Sequence, residues 1–144
     1  MSAPRLVVNV DGGARGNPGP AAVAAVVARP DGEILEERSE TIGPATNNVA
    51  EYRALLLGIE RARALGGRDV ELVGDSELIV RQVRGEYRVK DAALRDLHAQ
   101  VREALEGFER WSIRNVPREE NERADRLVNE ALDARPPGGS GGTG

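Results

Sequence analysis

The amino-acid sequence predicts an α/β domain built on a mixed sheet with helices packed against its faces. Three strand-like segments come first and are joined by short turns, which favours antiparallel neighbours. Later strand-like segments alternate with helical ones, which favours parallel neighbours. The chain has 144 residues, 40% of them apolar and 31% charged, a balance typical of one globular domain with its own core.

The predicted strands are short runs rich in apolar residues that end at Gly, Pro, Asn or Asp: 4–11, 21–29, 33–42, 69–74 and 110–117. Between the first two lies GGARGNPGP (12–20), a cluster of turn-forming residues, and Asp31-Gly32 offers a tight hairpin turn. GPATNN (43–48) ends the third strand. Five strands in this order predict three antiparallel strands followed by two parallel ones.

The predicted helices carry apolar side chains every three to four residues: 49–65, a segment from a cap at Asp75 or Ser76 through Arg84, 91–107 and 121–134. Gly66-Gly67 is a helix stop signal after the first of them. The segment RPPGGSGGTG (135–144) has no core-forming residues, so we expect a flexible tail or linker after a domain over 1–134. Such a linker is suited to a fused second domain.

Several classes of protein are excluded by composition. No apolar run reaches the length of a membrane span, and the apolar segment before Asp11 is too short for a signal peptide, so we expect a cytoplasmic protein. Without cysteine there are no disulfides or thiolate metal sites, and one histidine, His98, excludes a two-imidazole site. The net charge of −4 does not favour a strongly basic nucleic-acid-binding face.

Four acidic residues stand at positions that attract attention together: Asp11, Glu51, Asp75 and Asp125. Each has an ordinary alternative explanation. Asp11 could start a turn at the end of a strand, and Glu51 could interact favourably with the helix dipole in a first turn. Asp75 could cap a helix, and Asp125 could be a solvent-exposed surface acid. However, if Asp11 and Asp75 end adjacent strands, Glu51 and Asp125 reach the same sheet end from the first turns of their helices.

Four ionised carboxylates cannot converge without cations, because like charges about 4 Å apart repel by several kcal/mol at intermediate dielectric. Ligation by oxygen alone selects hard ions such as Mg²⁺ or Mn²⁺. Two such ions bridged by a carboxylate and a phosphate oxygen hydrolyse phosphodiesters. The acids therefore predict a metal-dependent phosphodiesterase.

Four segments, in order and spacing, resemble type 1 ribonuclease H: 8–27 (VNVDGGARGNPGPAAVAAVV), 45–62 (ATNNVAEYRALLLGIERA), 70–86 (VELVGDSELIVRQVRGE) and 116–132 (VPREENERADRLVNEAL). The resemblance implies a five-stranded mixed sheet flanked by helices on both faces. It also implies hydrolysis of the RNA strand of RNA/DNA hybrids by two metal ions, Mg²⁺ with Mn²⁺ as substitute, leaving 5′-phosphate and 3′-hydroxyl ends.

By motif, the resemblance implies that Asp11 bridges both metals, that Glu51 and Asp75 are the second and third catalytic carboxylates, and that Asp125 binds the metal on the attacking-water side. It implies that four residues contact the hybrid: Asn17, Thr46, Asn47 and Asn48. For Asn17 a turn role, and for the Asn pair helix capping, remain alternatives.

The sequence departs from the family pattern in three places. Arg118 occupies the loop where many members carry a histidine, as in an archaeal-like branch of the family. An arginine is able to position a phosphate but not to shuttle protons. The alternative is that Arg118 is a solvated loop residue. Gly43-Pro44-Ala45 replaces an arginine that some members use to bind a phosphate. The basic protrusion is missing from 85–98, so we expect weaker, more salt-sensitive binding per contact, or compensation by a partner domain. A less restrictive groove that also admits RNA duplexes is a further hypothesis.

Two further interpretations stay open. Another nuclease on the same scaffold, integrase-like or junction-resolving, shares acidic metal sites. A catalytically inactive hybrid-binding module is the alternative from another class, although the presence of all four acids speaks against it. We expect a monomer whose partner is the hybrid duplex.

Overall fold

The computed structural model describes residues 4–134. Its strands are β1 (Arg5–Ala14), β2 (Gly19–Ala28), β3 (Ile34–Ala45), β4 (Asp69–Gly74) and β5 (Arg110–Asn115). Its helices are α1 (Asn47–Ala64), α2 (Glu77–Arg84), α3 (Ala92–Leu105) and α4 (Glu122–Ala134), with a short 3₁₀ turn at Arg118–Glu120. The predicted succession of elements is confirmed, with the 3₁₀ turn added.

The five strands form one mixed sheet in the order β3-β2-β1-β4-β5. β1 pairs antiparallel with β2 and β2 with β3, whereas β4 lies parallel to both β1 and β5. The predicted fold class is therefore confirmed, and β1 lies at the centre of the sheet between an antiparallel and a parallel neighbour.

Alternation along β2 divides the interior into two layers. Val23, Ala25 and Val27 join the large core that also contains the buried faces of α1, α2 and α3. Ala22 and Ala24 point to the other face and pack in a smaller cluster with residues of α4. Because side chains alternate across a strand, β2 is apolar on both faces, as a strand covered by helices on both sides requires.

The strands extend further into the glycine-rich segments than the sequence predicted. β1 does not end at Asp11 but continues through Ala14, and β2 begins at Gly19, so the turn is shorter than 12–20. A Cβ atom at Gly12 would lie 2.2 Å from the carbonyl oxygen of Ala50 in α1. Gly12 therefore permits a helix to approach the strand closely and is not a turn residue.

The third strand also passes its predicted end, because β3 runs through Gly43 and Pro44 to Ala45. Pro44 is tolerated since β3 is an edge strand of the sheet. A register shift between Ala21 and Ala22 accommodates this stretch. The predicted tail, 135–144, lies outside the described residues; within 4–134, helices long and apolar enough for a membrane span are absent.

Candidate active site

Two of the four predicted acids lie side by side at one end of the sheet. Asp11 is on β1, three residues before its end, and Asp75 follows directly after β4. The parallel register pairs Asn9 with Val73, and two further steps bring Asp11 level with Asp75. The carboxyl ends of adjacent parallel strands thus place the two carboxylates together, as such sheets do with their ligands.

The other two acids come from helices on opposite faces of the sheet. Glu51 is the fifth residue of α1, so the prediction that it occupies the first turn was wrong: the helix begins at Asn47, two residues before its predicted start. Its Oε1 accepts a hydrogen bond of 3.1 Å from the backbone N–H of Gly12. Asp125 lies in the first turn of α4, as predicted.

Carboxylate oxygens of Asp11, Glu51 and Asp75 lie within 4.8 Å of one another. Asp125 lines the same pocket, which has a volume of about 390 Å³ and is also bordered by Arg118. The structure therefore brings all four acids to one cavity, with three of them at metal-binding separation.

Burial and mutual repulsion make these carboxyl groups resist ionisation. The pKa of Asp11 is raised from 3.8 to about 8, first by burial and then by the charges of Asp75 and Asp125. The pKa of Glu51 is raised to about 9, again chiefly by burial, although the Gly12 N–H partly opposes the shift. Burial also raises the pKa of Asp75. A bound divalent cation would lower these pKa values again, because its positive charge favours the ionised carboxylates.

The donor set fits a hard divalent cation. All of the clustered ligand atoms are carboxylate oxygens, which is the set that Mg²⁺ and Mn²⁺ prefer over softer metals. Asp75 Oδ2 is buried and has no hydrogen-bond partner among residues 4–134. A buried oxygen without a donor is costly unless a ligand satisfies it, so the cluster is suited to a metal.

Asn121, which was not predicted from the sequence to have a role, connects α4 to β1 near the site. Asn121, with 1% of its surface exposed, donates through Nδ2 to the carbonyl of Val10 at 2.9 Å and accepts from Asn9 Nδ2 at 2.9 Å. It thereby fixes the start of α4, and with it Asp125, to the strand that carries Asp11. An asparagine before a helix is typical of a cap, so the sequence held no signal for this contact.

The predicted hybrid-contacting residues join the loop after β1 to the start of α1. Asn17 Oδ1 accepts from the backbone N–H of Asn47 at 3.0 Å, and Asn47 Oδ1 accepts from the N–H of Ala14 at 2.8 Å. Thr46 Oγ1 accepts a hydrogen bond from the backbone N–H of Val49, so Thr46 is the N-cap of α1. The alternative that Asn47 or the half-buried Asn48 caps this helix was therefore wrong. Of these residues, Asn47 lines the acidic pocket.

Arg118 is exposed in the 3₁₀ turn before α4 and lines the acidic pocket. Its positive charge lowers the pKa values of Asp11, Glu51 and Asp75 against the larger effect of burial. The structure therefore places an exposed cation beside the acidic cluster.

Comparison with known proteins identifies relatives over nearly all of the described chain. A family model described as "Reverse transcriptase-like" matches residues 9–131. Ribonuclease HI of Halobacterium salinarum is 53% identical over 129 residues, which are 90% of this chain and 65% of that protein. The bifunctional protein Rv2228c of Mycobacterium tuberculosis is 44% identical, and the match covers 90% of this chain and 36% of the relative.

Solved structures show the same fold. The RNase H1 of Halobacterium salinarum superposes with a TM-score of 0.88 at 51% identity, covering 90% of this chain and 98% of that one. The N-terminal RNase H domain of Rv2228c gives 0.89 at 44% identity, covering 92% and 96%. LC11-RNase H1, solved in complex with an RNA/DNA hybrid, gives 0.85 at 44% identity, covering 89% and 96%.

Proposed function

Because the chain belongs to the type 1 ribonuclease H family, we propose that it is a metal-dependent endonuclease that cleaves the RNA strand of RNA/DNA hybrids, leaving 5′-phosphate and 3′-hydroxyl ends. The observation that carries the proposal is the convergence of Asp11, Glu51, Asp75 and Asp125 on one pocket. A relative at 44% identity was solved in complex with an RNA/DNA hybrid, which supports the same substrate.

The four carboxylates would hold two Mg²⁺ ions, with Mn²⁺ as substitute. When bound, the ions supply an activated water and charge stabilisation for the attacking and leaving oxygens. Asp11, most buried of the four and nearest the centre of the sheet, is suited to bridge both ions. The Gly12 N–H orients Glu51, and Asn121 fixes the helix that carries Asp125.

The residues around the pocket are suited to the shape of a hybrid. A hybrid is close to A-form, so its wide minor groove exposes 2′-hydroxyls that amides and backbone groups contact. Asn47 lines the pocket, Asn17 contacts the backbone of Asn47, and Thr46 caps the same helix. These positions support the proposal that Asn17, Asn47 and Asn48 contact the hybrid and that the Thr46 hydroxyl contacts a DNA phosphate. Because such contacts read no base edges, we expect weak sequence preference.

The function is tested by incubating the protein with labelled RNA/DNA hybrid, DNA duplex and RNA duplex, each with Mg²⁺, Mn²⁺ or EDTA. We expect cleavage of the hybrid that requires metal, and products with 5′-phosphates. Preferential cleavage of DNA duplex would favour the integrase-like or junction-resolving alternative, and binding without cleavage would favour the inactive module. Cutting of the RNA duplex tests the open-groove hypothesis.

Arg118→Ala is expected to lower kcat about tenfold to a hundredfold, because it removes the cation that faces the phosphate at the acidic pocket. Metal binding should persist, since the four carboxylates remain. Isothermal titration with Mn²⁺ and single-turnover cleavage measure the two effects separately. An unchanged rate would return Arg118 to the role of a solvated loop residue.

The remaining parts of the proposal concern the protein as a whole. We propose a monomer that acts in the cytoplasm, with a catalytic domain over 1–134 and a linker over 135–144 leading to a second domain. The chain spans 65% of the Halobacterium protein and 36% of the bifunctional mycobacterial protein, and the RNase H domain of the mycobacterial protein is N-terminal, which supports the last point. Size-exclusion chromatography with light scattering tests the oligomeric state.

A further inference from the structure

A second arginine lines the acidic pocket. Arg15 stands in the loop between β1 and β2, and its guanidinium lies against α4. Its Nη1 is 2.8 Å from Asp133 Oδ1, and its Nη2 is 3.4 Å from both the backbone oxygen and Oδ1 of Asn129. The proposed chemistry at the four carboxylates does not use this residue.

The contacts of Arg15 place it along α4 from the metal-binding end. Asp125, Asn129 and Asp133 are four residues apart and share one face of the helix. At 1.5 Å per residue, Asn129 lies about 6 Å and Asp133 about 12 Å along the axis from Asp125. Arg15 is therefore held roughly 6 to 12 Å along α4 from Asp125, on the helix face that Asp125 shares.

Asn129 is itself held in one orientation. Its Nδ2 donates to the backbone oxygen of Asp125 at 3.1 Å, which leaves Oδ1 facing the Arg15 guanidinium. The amide thus connects the helix turn carrying Asp125 to Arg15, and it limits where the guanidinium is able to lie.

The ion pair with Asp133 is easily exchanged. The Arg15 side chain is 47% exposed and that of Asp133 is 68% exposed, and pairs between such exposed groups contribute about 0–1 kcal/mol. A phosphate offers the guanidinium fork two charge-assisted hydrogen bonds instead. The structure therefore holds an arginine at the pocket that a nucleic-acid backbone is able to capture.

We propose that Arg15 binds a phosphate of the RNA strand next to the one that is cleaved, with Asn129 positioning its guanidinium and Asp133 holding it until nucleic acid arrives. The inference rests on the proposed function. In this arrangement Asp133 competes with the substrate. Removing the arginine and removing its carboxylate partner must then change hybrid binding in opposite directions.

The test compares Arg15→Ala and Asp133→Asn with the wild type in steady-state cleavage of a labelled hybrid over a range of salt concentrations. Arg15→Ala should raise KM about tenfold at low salt, with a smaller change in kcat. It should also reduce the slope of log KM against log salt by about 0.9, the value for one lost phosphate contact. Asp133→Asn should lower KM a few-fold.

A matched control is Arg29→Ala. Arg29 is 57% exposed and paired with Glu33 at 3.0 Å, but it follows the end of β2 that lies away from the acidic pocket. The variant loses the same charge and should leave KM within about twofold of the wild type. Thermal unfolding of all three variants checks that each is folded.

A modified substrate locates the contact. In hybrids with one RNA phosphate replaced by an uncharged methylphosphonate, one position beside the cleavage site should weaken wild-type binding while changing Arg15→Ala little. If Arg15 only fastens the loop to α4, Arg15→Ala and Asp133→Asn will lower Tm equally and leave KM and its salt slope unchanged, which overturns the inference alone. A wild-type protein that neither cleaves nor binds the hybrid overturns the proposed function as well.

Discussion

Replacing Asp11 by asparagine is expected to abolish metal-dependent cleavage of the RNA/DNA hybrid, with a loss of at least about a thousandfold in rate. Its carboxylate lies within 4.8 Å of those of Glu51 and Asp75 and stands on the central strand of the sheet, so under the proposed function it is expected to bind metal. Asparagine keeps the shape but removes the charge, so under the proposed function the binding of divalent ions is weakened. Quantified cleavage with Mg²⁺ and Mn²⁺ measures the loss.

The same substitution should change how the stability of the metal-free protein depends on pH. The folded-state pKa of Asp11 is about 8 against an ordinary value of 3.8, so between these values the folded state holds a proton that the unfolded state releases. The free energy of unfolding must then fall as pH rises from about 4 to about 8, at up to about 1.4 kcal/mol per pH unit. The asparagine variant lacks the fall in free energy of unfolding that Asp11 causes, and its uncharged side chain no longer repels the carboxylates of Glu51 and Asp75.

Urea unfolding in EDTA at pH 5.5, 7.0 and 8.5 measures the effect. We expect the free energy of unfolding of the variant to rise relative to that of the wild type at each increase in pH. We also expect added Mg²⁺ to stabilise the wild type more than the variant. Asp31→Asn is the matched control, because Asp31 lies in the exposed hairpin before β3. Parallel pH profiles for wild type and Asp11→Asn, or near-normal turnover by the variant, would remove Asp11 from the site.

Local pattern and general rules of sheet topology indicated which acids would meet if two of the strands were neighbours, and the family resemblance indicated the same four acids. The predicted meeting of the acids was conditional on Asp11 and Asp75 standing on adjacent strands, because the carboxyl ends of parallel strands lie at one edge. The structure has β1 and β4 paired in this way. Placement of Asp125 followed equally well, because a strong helical period indicated where α4 begins.

The sequence did not reveal contacts between distant segments or the first residue of α1. Asn121 is the first residue of the helix predicted over 121–134, and its position gave no sign that its side chain hydrogen-bonds to Asn9 and Val10 of β1, more than a hundred residues away. Glu51 was assigned to a first turn because the apolar period starts at Val49, whereas the Thr46 cap begins the helix earlier. Polar residues at element ends follow tertiary partners that periodicity does not reveal.

Gly12→Ala is expected to destabilise the fold and to damage the site at once. A Cβ atom there would lie 2.2 Å from the carbonyl oxygen of Ala50, 2.4 Å from its carbon and 2.8 Å from the backbone nitrogen of Glu51. All of these are main-chain atoms of α1, so no side chain is able to rotate away. The helix must retreat from the central strand, and overpacking of this kind costs about 3 kcal/mol or more in free energy of unfolding.

The retreat would carry Glu51 with it and lengthen the hydrogen bond from the Gly12 N–H, now 3.1 Å. A displacement of about 1 Å in a catalytic group lowers rates by about a hundredfold, so cleavage should fall even at temperatures where the variant is folded. Urea unfolding and single-turnover cleavage at low temperature separate the two losses.

Gly13→Ala is the matched control, because the added Cβ would meet nothing closer than the Val128 side chain at 3.9 Å. It should change the free energy of unfolding by less than about 0.5 kcal/mol. If Gly12→Ala is as stable as Gly13→Ala, α1 does not pack against β1 as described. The glycine-rich sequence would then serve the turn that its composition first indicated, and Glu51 would lose the backbone contact that holds it beside the carboxylates of Asp11 and Asp75.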